Sequence, residues 1–283
     1  MSALLNLFKL RIGVAIALAA AAGLAVEHGT GTGLLQEVVL VLSVLIASAA
    51  AGAFNQYVER DLDKRMARTR GRPFVTGQLE HKPAWLWLIG ALLAAAVAAA
   101  WISANFIAGL YVFLGAFTYG VVYTVWLKRR TWWNIVVGGL AGSFAVLAGA
   151  AAANPAPGPA ALALAVVLFL WTPPHFWSLA IACREDYAAA GVPMLPVVVG
   201  DARAARAIFA SALLLVGASL LPAAFSLGLV YFVSALCGGI FFLVKCRALV
   251  REPGRRSARV AFFASLVQLS AVLFGAMLDV ALF

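Results

Sequence analysis

Nine apolar runs divide this chain, each close to the roughly 20 residues that cross a bilayer as a helix. They lie near residues 10–27, 35–57, 84–103, 106–127, 134–153, 160–182, 207–226, 228–244 and 260–280. Lipid offers no hydrogen-bond partner to a spanning backbone, so runs of this length must fold as helices. The expected fold is an all-α integral membrane protein, one polytopic domain over 1–283 with nine transmembrane helices. The first run has no small-residue cleavage pattern and reads as a retained span.

The basic residues fix an orientation. Net charge is +10, which alone would admit a nucleic-acid partner, but its distribution argues otherwise. All 21 Lys and Arg residues fall in the N-terminal tail and in alternate connections, 58–83, 128–133, 183–206 and 245–259. The intervening connections, around Glu27 to Leu34, Ser103 to Asn105, Asn154 to Pro159 and Ser226 to Leu227, carry none. By the positive-inside rule the N-terminus is cytoplasmic and the C-terminus lies outside. Only 11% of residues are charged, against about 25% in soluble domains, which supports the same class. Cys183, Cys237 and Cys246 have no paired spacing, so neither a disulfide framework nor a metal knuckle is expected.

The long connections, 58–83 and 183–206, are the expected cytoplasmic active-site loops. Both open on acids and run into a similar tail, Arg72-Pro-Phe-Val-Thr-Gly77 and Val192-Pro-Met-Leu-Pro-Val-Val-Val-Gly200. Four spans separate them, so orientation is preserved and a parallel internal repeat is implied. Gly138, Gly139, Gly142 and Gly149 in the fifth span suit close helix approach.

Charge is densest from Asn55 to Pro73. Asn55, Glu59 and Asp63 sit at i, i+4 and i+8 and share one helix face at the end of an apolar run. Oxygen ligands beside Arg68 and Arg72 suit Mg²⁺ and a diphosphate. The competing reading is a solvated loop of alternating charge; Asn55, a full turn inside the apolar run, argues against it. Arg184-Glu185-Asp186-Tyr187 supplies a second acidic site on the same face, so that Glu185 and Asp186 could share metal ions bridging one diphosphate. Lys128 and Arg129, which end the fourth span, can reach a phosphate, while the tryptophans nearby read as an interfacial belt.

Thr172-Pro173-Pro174-His175-Phe176-Trp177 lies within the sixth span, where consecutive prolines should break or kink the helix. His175 is the only histidine well inside a span. It reads either as a ligand to porphyrin iron or as a buried histidine bonded to a neighbouring helix.

Asn55-xxx-Glu59-xxx-Asp63 followed by Arg68-Thr-x-x-Arg72-Pro resembles the first acidic motif of the UbiA superfamily of intramembrane prenyltransferases. Three stretches, Asn55 to Gly77, Tyr123 to Gly142 and Pro174 to Gly200, are similar to its protoheme IX farnesyltransferase (haem O synthase) branch. Glu59 replaces the usual Asp of the first motif, and Ala182 stands where the second motif usually holds an earlier acid. The resemblance implies a UbiA-type bundle in a bacterial cytoplasmic (inner) membrane, transferring farnesyl from farnesyl diphosphate to a vinyl carbon of haem b, with water addition. It implies Mg²⁺ on Asn55, Glu59, Asp63, Glu185 and Asp186, with Asn55, Glu59, Asp63 and Asp186 catalytic. Arg68, Arg72, Lys128, Arg129 and Arg184 would hold diphosphate, His175 and Trp177 would contact haem, and product would pass to a haem A synthase. The rivals are a relative acting on a quinone precursor or chlorophyllide, and a secondary transporter, whose acids should lie at mid-depth.

Overall fold

The computed structural model describes residues 2–27 and 32–283. His28 and most of the first uncharged connection lie outside them. Among the described residues there are nine helices long and apolar enough to cross a membrane, as the apolar runs predict.

A short helix, α1 (Ser2–Leu7), leads into the first span, α2 (Leu10–Glu27), and the second is α3 (Leu34–Val58). The first long loop contains α4 (Arg60–Asp63) and α5 (Pro73–Thr76). The third span is α6 (Ala84–Ser103); the fourth begins as α7 (Phe106–Phe117) and continues as a π-helical stretch, Thr118–Leu127. The fifth combines α8 (Asn134–Gly138) and α9 (Leu140–Ala153), and the sixth is α10 (Pro159–Ala182). The second long loop holds α11 (Arg184–Ala189) and α12 (Leu195–Val199). The last three spans are α13 (Asp201–Ala218) extended by a 3₁₀ turn (Leu221–Ala224), α14 (Leu229–Arg251) and α15 (Arg255–Leu282).

At the ends of the last three spans the structure departs from the sequence reading, and charge is the cause. The last three spans run past the apolar segments, so α13 starts at Asp201, α14 ends at Arg251 and α15 starts at Arg255. Residues 201–206 and most of 245–259, expected as loop, are helix ends. Charged side chains end a hydrophobic segment without ending a helix.

The proline pair gives a second correction. Helix α10 runs through Pro173 and Pro174 without a break. Thr172 Oγ1 donates to Leu168 O (3.1 Å) and Ser178 Oγ to Pro174 O (2.6 Å), while Gly139 approaches the Phe169 carbonyl that Pro173 cannot engage. Gly139 thus packs against one carbonyl that the prolines strip of its helical donor, while the two hydroxyls bond carbonyls on either side of it.

The two long loops repeat each other's layout. Each has a short acid-bearing helix, then a short helix with proline in its first turn, then a glycine at φ 80° (Gly77 and Gly200) that turns the chain toward the next span. A left-handed φ at these points is a glycine conformation.

Small residues set the helix spacing in the core. A Cβ on Gly23 would strike the backbone of Val146, and one on Gly149 that of Ala20, so α2 and α9 meet backbone to backbone. That closeness is how helices associate where lipid removes the hydrophobic drive. At the end of the bundle opposite the long loops, two acids close helix termini. Glu27 accepts from Asn154 Nδ2 (2.8 Å) and Gly158 N (2.9 Å), and Asp279 accepts from Gly228 N (2.6 Å) and Tyr231 N (3.1 Å). Each carboxylate caps the N-terminus of another span and answers its helix dipole.

Candidate active site

Asn55, Glu59 and Asp63 share one face, as their spacing requires. Glu59 N bonds Asn55 O (3.0 Å) and Asp63 N bonds Glu59 O (2.8 Å), so the helical register survives the turn between α3 and α4. All three are buried, at 2%, 1% and 0% exposure. Two buried carboxylates are costly without compensation.

A basic side chain meets each of these three residues. Arg72 Nη1 lies 2.6 Å from Asp63 Oδ2 and 4.0 Å from Glu59. The Lys128 ammonium lies 2.6 Å from both Glu59 oxygens, with its directed hydrogen bond to Oε2. Lys9 Nζ donates to Asn55 Oδ1 at 2.7 Å and to the Tyr119 hydroxyl at 3.1 Å. Asn55 Nδ2 in turn donates to Thr124 Oγ1 at 3.0 Å.

Local structure explains how each cation arrives. Thr69 Oγ1 donates to Asp63 O (3.1 Å) and Arg60 Nε to Phe74 O (3.1 Å), folding the loop so that Arg72 turns back on Asp63 just before Pro73 starts α5. Lys128 follows the π-helical stretch, where its own N–H reaches Tyr123 O at 2.9 Å. Buried Asn134 fastens the next turn by donating to Thr131 O (2.6 Å) and Lys128 O (3.4 Å). A π-helical segment re-aims side chains relative to an α-helix. Here it brings Tyr119 and Tyr123 into a stack with centroids 5.6 Å apart, each under an ammonium, Lys9 and Lys128 respectively.

Electrostatics follow burial. Desolvation lowers the Lys9 pKa well below that of an ordinary lysine, and Arg72 adds to the effect. Desolvation also lowers the Lys128 pKa against the pull of Glu59. It raises the Asp63 pKa despite Arg72. Buried without a matching anion, a cation is penalised; buried beside one, it is partly compensated.

The carboxylates fit a hard divalent cation. Asp63 Oδ1 is buried with no hydrogen-bond partner, and Glu59 Oε1 receives no directed bond although Lys128 lies beside it. Oxygen donors of this kind suit Mg²⁺, which is often held by one or two carboxylates together with substrate phosphates. Among the described residues no three His, Cys, Asp or Glu side chains converge to hold an ion by themselves. Asn55, expected as a third ligand, has its oxygen on Lys9.

The second acidic segment meets the first loop, but not as an opposing carboxylate cluster. Asp186 accepts from the backbone N–H groups of Ala67 (3.0 Å) and Arg68 (3.3 Å), and Arg68 Nη2 reaches the buried Tyr187 hydroxyl at 3.5 Å. Burial raises the Tyr187 pKa. Glu185 and Arg129 are exposed, and Arg184 turns to Asp201 at 3.6 Å. These three stand apart from the buried cluster. The acids miss one another because α11 presents Asp186 to the loop's backbone rather than to its side chains.

His175 is packed between the rings of Trp171 (4.0 Å) and Phe262 (4.4 Å), and its Nδ1 lies 2.7 Å from Ser265 Oγ on α15. It is a buried histidine bonded through Nδ1 to a neighbouring helix. Trp177 is buried, with its ring 6.3 Å from that of Trp132 and its Nε1 without a partner.

Sequence reasoning overlooked Lys9, Tyr119, Thr124, Asn134 and Tyr187 as parts of this cluster. The available signal was a lysine and an arginine (Lys9, Arg11) at the mouth of the first span, which the positive-inside rule absorbed.

Comparison with known proteins agrees with this architecture. Residues 15–267 match the model of the UbiA prenyltransferase family. The chain is 56% identical to Protoheme IX farnesyltransferase 2 of Paramagnetospirillum magneticum, covering 99% of this chain and 97% of the relative. It is 48% identical to that organism's Protoheme IX farnesyltransferase 1 over 81% of each chain. The fold is that of a digeranylgeranylglyceryl phosphate synthase (TM-score 0.81, 16% identity, 100% of this chain and 99% of the other). It is also that of a UbiA homologue from Archaeoglobus fulgidus solved with DMAPP and Mg²⁺ (TM-score 0.75, 19% identity, 97% and 99% covered). A buried cluster of acids at the end of the second span with cations from three other segments, in a bundle whose described residues form nine spanning helices, thus coincides with close sequence similarity, and the chain belongs to the UbiA prenyltransferase family, among its protoheme IX farnesyltransferases.

Proposed function

We propose that this membrane protein transfers the farnesyl group of farnesyl diphosphate to a vinyl carbon of haem b, with addition of water and release of diphosphate. The observation that carries the reading is the buried cluster itself: two buried carboxylates, one of whose oxygens, Asp63 Oδ1, is left without a partner, inside a surplus of positive side chains. That combination is complementary to a metal diphosphate and to little else. The relatives' names supply the acceptor, haem b, and the prenyl chain length.

Asp63 and Glu59 would hold Mg²⁺, which when bound neutralises charge on the leaving diphosphate. Arg72 and Lys128 orient the diphosphate, and Arg68 guards its entrance. As the C1–O bond breaks, the electron pair leaves with diphosphate and C1 gains allyl-cation character. The stacked faces of Tyr119 and Tyr123 can stabilise that cation away from water. The vinyl group then attacks, and water captures the porphyrin-side cation with loss of a proton, leaving a hydroxyfarnesylethyl group.

We place the cluster at the cytoplasmic side of a bacterial inner membrane, because every basic residue lies at that end of the spans. Substrate tails then remain in lipid while charged ends meet the cluster. A haem A synthase is the natural recipient of the product.

The test is direct. Purified protein with Mg²⁺, haem b and farnesyl diphosphate should yield haem O by mass spectrometry, and 4-hydroxybenzoate should not be prenylated. Chelation of Mg²⁺ should stop diphosphate release. Prenylation of 4-hydroxybenzoate with haem b unchanged would overturn the haem assignment, and transport of an unmodified solute would overturn the enzyme.

A further inference from the structure

We propose that Lys9, at the junction of α1 and α2, is a substrate-binding residue of the diphosphate seat, held there by Asn55 and Tyr119. The proposal rests on the prenyl-transfer reading and adds to it a residue that precedes the first span.

Charge balance carries the inference. Three buried or half-buried cations point into the cluster, Lys9, Arg72 and Lys128, against two carboxylates, Glu59 and Asp63. Arg72 and Lys128 each face a carboxylate within 2.6 Å. Lys9 does not: its partners are a neutral amide oxygen and a neutral hydroxyl. The excess charge of the cluster is therefore Lys9. A desolvated ammonium on neutral acceptors has a strong affinity for an anion.

The backbone points the same way. Lys9 has φ 47°, the only positive φ at a non-glycine among the described residues. A left-handed conformation at such a residue is strained and persists only where surrounding contacts enforce it. Those contacts exist. Gln56 Nε2 donates to Asn6 O (2.8 Å) and Leu7 O (3.3 Å), pinning α1 to α3 immediately before the turn. The Lys9 stem runs along α3 beside Gly52, where an added Cβ would lie 3.4 Å from it, in ordinary van der Waals contact. The turn thus directs Lys9 inward rather than toward the headgroups, where positive-inside charges ordinarily lie.

The arrangement also gives Asn55 a task. Its oxygen fixes Lys9 and its Nδ2 donates to Thr124, so the amide works as a positioning group whose two ends are both engaged.

The experiment measures binding of farnesyl thiodiphosphate, an unreactive analogue, with Mg²⁺ to the full chain in nanodiscs. Native protein should bind; Lys9→Met should bind about 10- to 100-fold more weakly, the usual range for losing a hydrogen bond to a charged group. Lys9→Arg should recover most of the affinity. In turnover, Lys9→Met should raise KM for farnesyl diphosphate and leave KM for haem unchanged, a split that mere loss of structure would not produce. Native-like binding by Lys9→Met would overturn the proposal and leave the prenyl-transfer reading standing. No binding by native protein would remove both. Should Lys9→Met fail to fold, acetylation of Lys9 in the native chain decides: thiodiphosphate with Mg²⁺ should suppress it at least severalfold, and equal labelling with and without the analogue would refute the assignment.

Discussion

Asp186 accepts a 3.0 Å hydrogen bond from the backbone N–H of Ala67, across 119 residues of chain. The second acidic segment therefore latches the loop that carries Arg68 and Arg72 over the buried cluster. Asp186→Ala should free this loop: amide exchange at residues 67 and 68 should accelerate and turnover fall roughly tenfold, as expected from loss of charge-assisted bonds at a partly exposed site. Asp186→Asn, which keeps one acceptor, should lie between. Unchanged exchange in Asp186→Ala would mean that the latch holds nothing.

Arg72 and Asp63 form one of the two enclosed ion pairs of the cluster, beside Lys128 and Glu59. Removing one member strands the other, at a cost of up to about 3–5 kcal/mol. Arg72→Gln should therefore lower the melting temperature clearly in detergent. Arg72→Gln with Asp63→Asn should recover part of that stability while activity stays absent. A double variant less stable than the single one would show that the pair is not the source of the loss.

The displaced pKa values give the pH profile a sign. Turnover needs Asp63 ionised and Lys128 charged. Burial raises the Asp63 pKa, so the acid limb should lie above the ordinary carboxylate range. Burial lowers the Lys128 pKa, so the alkaline limb should fall below the ordinary lysine range. Initial rates from pH 4 to 11 should trace a bell narrower than two unperturbed groups would give, and Lys128→Arg should move only the alkaline limb, upward.

At the opposite end of the bundle, Asp279 caps α14 through Gly228 and Tyr231. Asp279→Ala should cost about 1–2 kcal/mol of stability, the usual effect of losing a cap. Affinity for farnesyl diphosphate should not change. A fall in affinity matching the fall in stability would place this acid in the functional network after all.

Topology can be checked independently. Alkaline phosphatase fused after Phe283 should be active, because an odd number of crossings separates that end from the N-terminus. Green fluorescence from a cytoplasmic-type reporter at the same point would contradict the assigned orientation.

Much of this was legible in the sequence because the bilayer imposes one length and one backbone solution. Asn55, Glu59 and Asp63 were legible because a period of four survives the end of α3. Lys9 was not: its partner Asn55 lies 46 residues away, and its charge already had a sufficient explanation in topology. The second acidic segment was read as metal-facing because spacing gives the side of the membrane and not the direction of a carboxylate on a one-and-a-half-turn helix. The expected break at the proline pair does not occur, for a related reason. Local chemistry predicts a break or a kink there, whereas the helix stays continuous with Gly139 of the fifth span packed against the Phe169 carbonyl.

The contact of Gly23 with Val146 and of Gly149 with Ala20 leaves α2 and α9 no slack. In the proposed reaction a flat macrocycle and a branched isoprenoid would reach the site from the lipid, and this pair of helices offers them no gap. An entrance for them would lie along another boundary of the bundle, with the α2–α9 wall acting as its fixed jamb.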